Sequence, residues 1–222
     1  FFLQKRYPTN GISTNVSNVS IKNNKSFDDI NNLKIKNNKE SNKFKIGLCG
    51  SFNVRYKGHK ELLLALSSNK NLVYEIQFVG SGNFDWVVDF AKKLKINSNV
   101  KILGKLKSGF EMNNWLLNLD LYVHPSKQEG LPRVVIEAMN NGLNVLASSV
   151  AGIPELLEKK FLHEPGDYLK LSKQINEILN LSEDKKNEIS KKNFIKSLDY
   201  SDKILNKKRN NFWNQFKNQN IK

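Results

Sequence analysis

From Phe44 to Leu179 short apolar runs alternate with amphipathic stretches without a break. "FKIGLCG", "LVYEIQFVG", "NVKILG", "LDLYVHPS" and "LNVLASS" are runs of strand length, and the first three stop at Gly50, Gly80 and Gly104. Runs of this kind bounded by turn residues read as buried strands. Between them, Leu62, Leu63, Ala65 and Leu66 recur at helical spacing, as do Trp86, Val87, Phe90 and Leu94. "FEMNNWLLNL" and "RVVIEAMNNG" read as further helices, the second with Gly142 as its stop. A turn of helix near "IPELLE", a strand-like "KFLHE", a helix from about Asp167 to Leu179 and two more helices between Ser182 and Lys217 follow. Strand–helix alternation predicts an α/β fold, a Rossmann-like parallel sheet with helices on both faces.

In such sheets ligands bind beyond the carboxyl ends of the strands. The segments to inspect are therefore 50–57, 80–83, 104–107, 124–133 and 148–154. The richest is "HPSKQEGLPRVVIEAMNNG", from His124 to Gly142, which sets Glu129 and Glu137 around the start of one helix. Pro132 suits the first helical position, where a missing N–H costs nothing. The free N–H groups of that first turn favour an anion, and Gly130 admits close approach of a ligand to the backbone. Two readings stand. The carboxylates border a pocket and accept hydrogen bonds from sugar hydroxyls, or Glu129 caps the helix and Glu137 pairs with a lysine. In "GSFNVRYKGH", Lys57 and Arg55 beside a strand end form a candidate anion clamp. Gly50 opens no GxGxxG and no Walker loop, so a dinucleotide cofactor is not supported.

Composition narrows the classes further. The formal charge of +15 fits either an anionic partner or a background rich in Lys, Asn and Ile. It also leaves peripheral contact with an anionic membrane open. One cysteine, Cys49, excludes an internal disulfide and fits a reducing compartment. The histidines His59, His124 and His163 are scattered, so no metal site is expected. Residues 11–43, rich in Ser, Asn and Lys, read as a linker or surface hairpin with a candidate strand piece at Val16–Ile21, or as a low-complexity segment without structure. "FFLQKRYPTNG" reads as the continuation of a preceding domain and lacks a signal-peptide pattern.

"EGLPRVVIEAMNNGLNVLASSVAGIPELL", from Glu129 to Leu157, resembles the signature of the family 4 retaining glycosyltransferases, which have the two-domain GT-B architecture. Glu129 and Glu137, seven residues between them, occupy the places of its paired glutamates. "EPGDYL", with Gly166 and Asp167, and "GLCGSFNVRYKGHKELLLAL", with Lys57 before Gly58, extend the likeness.

The resemblance implies the C-terminal, donor-binding half of such an enzyme. Residues 1–43 would be a remnant of the N-terminal domain and linker, 44–198 the nucleotide-sugar domain, and 199–222 a helix returning toward the N-terminal domain. Glu129 and Lys57 would be catalytic. Gly50, Ser51, Arg55, His124, Gly130, Leu131, Pro132, Val134 and Glu137 would complete the donor site. Glu137 would hold the ribose, Glu129 the transferred sugar, and Lys57 with the Gly130–Leu131 backbone the pyrophosphate. The family often has arginine where Ser51 stands, so Arg55 or nearby backbone would substitute.

No cofactor and no metal is implied; the nucleoside-diphosphate sugar is the substrate. The acceptor would be a glycan or lipid-linked glycan, as in O-antigen or capsule synthesis at the cytoplasmic membrane face. A helical tail at about Ser201–Lys217 carries Ile204, Leu205, Phe212, Trp213 and Phe216, and part of this apolar face would lack its partner, so this chain alone would tend to oligomerise or carry a mobile C-terminus and would bind donor without transferring sugar. Rival readings are a non-catalytic nucleotide- or nucleic-acid-binding module and a sugar-nucleotide phosphorylase or epimerase. The aromatics do not interleave with Lys and Arg as a nucleic-acid stacking platform requires.

Overall fold

The computed structural model describes residues 8–22, 25–37 and 43–220. Its strands are β1 (Phe44–Cys49), β2 (Tyr74–Val79), β3 (Val100–Gly104), β4 (Leu121–His124), β5 (Asn144–Ser148) and β6 (Leu162–His163). All pair in parallel in one sheet ordered β3-β2-β1-β4-β5-β6. The helices are α1 (Phe27–Asn37), α2 (His59–Ser67), α3 (Asp85–Lys93), α4 (Phe110–Leu117), α5 (Arg133–Asn140), α6 (Tyr168–Leu179), α7 (Glu183–Ser197) and α8 (Asp202–Asn220). The α/β Rossmann-like expectation holds. Strand order reverses between β1 and β4, which opens a crevice above those two strands.

The core is split by the sheet. Leu121, Val123, Ile46 and Leu48 face one side with Leu62 and Leu66 of α2, Val87 of α3 and Leu171 and Ile175 of α6. Tyr122, Val145 and Ala147 face the other with Leu116 of α4 and Val135, Ile136 and Met139 of α5. Successive residues of β4 thus serve opposite layers, the period of two that a sheet covered on both faces requires. Val87, Leu62 and Val135 are each 0% exposed. Burying side chains of this size contributes about 1.5–3 kcal/mol each.

The segment read as linker or hairpin contains a helix. α1 buries Ile30 against Leu117 and Phe194, and its Lys34 ammonium donates to the Gly142 carbonyl. Burial lowers Lys34 to about 8, partly offset by the negative charge of Asp120. The signal was local. Ser26 accepts from the Asp29 N–H while the Asp29 carboxylate accepts from the Ser26 N–H, a reciprocal cap that opens α1. Of the proposed strand piece, only Ile21 pairs, in a bridge to Ser201 beside α8. Among the described residues no helix is long and apolar enough to cross a membrane.

Two histidines are buried in the packing. His59, 0% exposed, lies among the rings of Phe52, Phe78 and Trp86. His163 is 4% exposed at the end of β6. Their ring nitrogens lack well-formed hydrogen bonds; the Gly50 backbone and the Gln174 side chain offer only weak ones. Burial lowers each ring from 6.5 to about 4. Between those values the unfolded chain binds protons that the folded chain refuses, so stability is full above pH 6.5 and falls as the pH drops toward 4. Each histidine is expected to remove roughly 2–3 kcal/mol across that window. Urea midpoints at pH 7 and pH 5 check this. The wild-type midpoint should fall on acidification, and His163→Gln should fall less.

Candidate active site

The loops after β1 and β4 meet above the crevice. A 3₁₀ turn, Arg55–Lys57, follows β1, and Gly58 continues it at φ 84°. A Cβ on Gly58 would lie 2.3 Å from the Pro125 carbonyl oxygen, so only glycine lets the loops touch. The Tyr56 carbonyl accepts from the Lys127 N–H at 2.7 Å and from the Ser126 hydroxyl at 3.0 Å. This lacing sets Lys57 against Glu129, although 72 positions separate them in sequence.

Glu129 is the centre of the cluster. Its Oε1 accepts from Lys57 Nζ at 2.7 Å and lies 2.8 Å from His124 Nε2. The glutamate side chain is 9% exposed and that of Lys57 22%. Burial alone would raise this carboxyl. The hydrogen bond and charge of His124, then those of Lys57, outweigh burial and hold it at about 2. Lys57 has three donors, so one spent on Glu129 leaves two for a ligand.

Glu137 sits on α5, its side chain 15% exposed, with Oε1 3.1 Å from Arg133 Nε. Burial raises its carboxyl, and the charge and hydrogen bond of Arg133 work against that rise. The same guanidinium donates to the Ser20 carbonyl at 3.1 Å.

Lys57, His124, Glu129 and Glu137 line one cavity of about 320 Å³. Pro132, Val134 and Arg133 form its α5 wall, and Cys49, Leu106, Ser108 and Met112 complete it. Pro132 is the residue before the helix, with φ −74° and ψ 115°, one position earlier than its sequence reading. The N–H groups of Arg133 and Val134 in the first turn of α5 have no intrahelical acceptor. A Cβ on Gly130 would meet nothing within 4 Å, so bare backbone borders open space there. The Cys49 thiol is raised to about 11 by burial and by Glu137, against the opposing charge of Lys57, which makes it a wall rather than a nucleophile.

Other candidates lie beside the cavity. Gly50 packs against Lys57; a Cβ there would stand 2.9 Å from the lysine Cβ. The Ser51 hydroxyl donates to the Ser81 carbonyl at 3.3 Å. Leu131 packs against the loop at Gly152, whose N–H donates to the Gly130 carbonyl at 3.0 Å. Arg55 turns away, its guanidinium 3.6 Å from the Trp86 ring centre. It lines a larger cavity, about 580 Å³, in the groove of α2 and α3. That groove is bigger and carries Glu61, Asp89, Lys60, Lys93 and Lys127, but the crevice sits where strand order reverses, the place where such sheets bind ligands, so the crevice is the candidate site. Arg133, Tyr122 and Cys49 escaped the sequence reading. For Arg133 the signal was its place one helical turn before Glu137.

Among the described residues no three His, Cys, Asp or Glu side chains gather as metal ligands would. The arrangement offers a buried anion with fixed donors at one end, a second carboxylate at the other, and between them unpaired N–H groups and a lysine. Such a layout fits a ligand with hydroxyls at both ends and an anionic middle.

A family model described as glycosyl transferases group 1 matches residues 29–196. The chain is 38% identical over 200 residues to Protein CapJ of Staphylococcus aureus, covering 84% of this chain and 48% of CapJ. The capsular polysaccharide biosynthesis glycosyltransferase CapH of the same organism is 29% identical over 93 residues, covering 40% of this chain and 25% of CapH. The structure of Anabaena HepE in complex with UDP-glucose matches with a TM-score of 0.69 at 25% identity, covering 86% of this chain and 54% of that one. The chain thus spans about half the length of CapJ.

Gly58→Ala is expected to part the two loops, because a side chain there meets backbone and sits at φ 84°. Stability should fall by at least about 1 kcal/mol. The Glu129 carboxyl should rise from about 2 toward 4.5 as Lys57 withdraws. Thermal unfolding and a carbon-detected NMR titration of the glutamates read the two effects.

Proposed function

The chain belongs to the glycosyl transferases of group 1, and from that premise we propose that the crevice above β1 and β4 binds a nucleoside-diphosphate sugar for transfer to a glycan or lipid-linked acceptor. The observation that carries the reading is the pairing of Glu129 with Lys57 and His124 at one end of the cavity and Glu137 at the other.

In this reading Glu137 accepts from the ribose hydroxyls. The free N–H groups at the start of α5 and the spare donors of Lys57 hold the pyrophosphate. Glu129 accepts from hydroxyls of the transferred sugar. When the bond between the anomeric carbon and the phosphate oxygen breaks, negative charge grows on the departing diphosphate. Lys57 and the helix start already face that charge and lower the barrier without rearranging. The acceptor hydroxyl forms the new bond to the anomeric carbon and gives up its proton to the departing phosphate oxygen. We take the transfer to be of a hexose, to proceed with retention and to need no divalent ion, since lysine and the α5 N–H groups supply the positive field. The glutamates border the donor and are not a hydrolase acid and nucleophile.

The similarity to the capsular polysaccharide biosynthesis glycosyltransferase CapH supports a role in surface polysaccharide synthesis. The donor-binding half needs an acceptor-binding partner domain, so the chain by itself is expected to bind donor and leave it intact. Phe212, Trp213 and Phe216 form a cluster on α8, with Trp213 55% and Phe216 45% exposed, a face suited to that domain. We place the protein in the cytoplasm, with its basic surface near the inner membrane face.

Calorimetry against UDP-, GDP-, ADP- and CDP-sugars tests the proposal. Loss of a hydrogen bond to a charged group costs about 1.5–3 kcal/mol, roughly 10- to 100-fold in affinity. Glu137→Ala should lose that much for nucleotide and nucleotide sugar alike. Lys57→Ala should lose it for diphosphates and keep nucleoside affinity. Binding that ignores both substitutions would remove the site assignment, and strict dependence on added Mg or Mn would contradict the metal-free reading.

A further inference from the structure

Tyr122 and His124 lie two positions apart on β4, so they project from the same face of the sheet. Tyr122 is 0% exposed and His124 2% exposed, with ring planes 24° apart. The tyrosine hydroxyl accepts from the Cys49 N–H at 3.4 Å and lies 3.2 Å from His124 Nδ1. A phenol has a single hydrogen to donate, and a buried hydroxyl hydrogen without an acceptor is costly. The N–H of Cys49 can only donate, which leaves Nδ1 as the acceptor. The imidazole proton then sits on Nε2, which points at Glu129 Oε1 from 2.8 Å. An N–H on Nδ1, in the opposite tautomer or in a doubly protonated ring, would oppose the hydroxyl hydrogen, and in the opposite tautomer a nitrogen lone pair would also face the carboxylate.

We propose that Tyr122 is a positioning residue for the transfer reaction: through its hydroxyl it selects the His124 tautomer that donates to Glu129, and so fixes the carboxylate that receives the sugar. Which nitrogen of a histidine carries the proton is set by what the other nitrogen meets. Both His124 and Lys57 converge on Oε1 of Glu129, which leaves Oε2 for a sugar hydroxyl. Tyr122 touches no substrate in this arrangement. It acts through an unbroken series from the Cys49 backbone to the hydroxyl, the imidazole and the carboxylate. The inference deepens the donor-site reading and rests on it for its catalytic meaning; the tautomer itself does not.

Two measurements on the full chain test it. Long-range proton–nitrogen NMR of chain labelled with ¹⁵N-histidine should show Nδ1 of His124 as a bare acceptor and Nε2 as protonated. In Tyr122→Phe the two tautomers should mix. Calorimetry of the same proteins with UDP-, GDP-, ADP- and CDP-glucose and the matching diphosphates supplies the second readout. Tyr122→Phe is expected to lose about fivefold in affinity for the sugar nucleotide relative to the diphosphate, the worth of one neutral hydrogen bond, with diphosphate affinity within about twofold of wild type. A wild-type spectrum with the proton on Nδ1 overturns the proposal, as does a Tyr122→Phe protein with unchanged tautomer and unchanged affinity ratio. If that variant does not fold, the wild-type spectrum decides alone. If wild type binds none of the nucleotides, the donor reading fails, and with it the catalytic role given to Tyr122, even where the spectrum shows the expected tautomer.

Discussion

The ion pair of Lys57 and Glu129 joins loops that leave the sheet at neighbouring strands, and the site depends on it. It exists because β1 pairs with β4 in register, Ile46 opposite Leu121 and Gly47 opposite Tyr122. That pairing brings the carboxyl ends of the two strands side by side at the point where strand order reverses. Gly58 then permits the loops to touch, and the Tyr56 carbonyl laces them. The lysine, which would otherwise wander on a flexible stem, is aimed. The carboxylate, which burial would protonate, stays charged. Each partner makes the other's burial tolerable, as paired and hydrogen-bonded charges must.

The sheet supplies the rigid half of the design and α5 the directional half. Val135, Ile136 and Met139 lock α5 to the sheet through side chains that are 0% exposed. Its first turn is thereby held facing the crevice, with Gly130 leaving the backbone open in front of it. Preorganised donors of this kind stabilise a developing anion because they need no reorientation when charge appears. Arg133 tempers the second carboxylate and also reaches the Ser20 carbonyl, next to the bridge of Ile21 with Ser201. Those contacts tie one wall of the site to the start of α8.

Much of this was legible in the sequence because its signals are local and periodic. Apolar runs ending at Gly50 and Gly80 marked β1 and β2, and the spacing of Val87 and Phe90 marked α3. Glu129, Glu137, Lys57 and Pro132 stood out from the residues themselves, His124 and Val134 through the family resemblance, and all six line the one cavity. What escaped depends on contacts between distant segments. α1 is polar enough to read as linker, and its apolar side has meaning only against Leu117 and Phe194. Arg55 lies one turn before α2 and read as an anion clamp, but the face of Trp86, brought up by α3, holds it in a separate groove. Tyr122 went unremarked inside its strand run, since a strand sequence does not show that its hydroxyl meets an imidazole two residues on.

The central claim is that the crevice between β1 and β4, and not the larger groove of α2 and α3, receives the sugar nucleotide. Amide NMR during titration of the ¹⁵N-labelled chain with nucleoside-diphosphate sugars asks this directly. The account predicts saturable shifts at Gly50, Gly58, Gly130 and Val134, with the Trp86 indole N–H, which donates to the Phe52 carbonyl at 2.9 Å, left in place. Shifts centred on Trp86 and Lys93 with a silent crevice would contradict it.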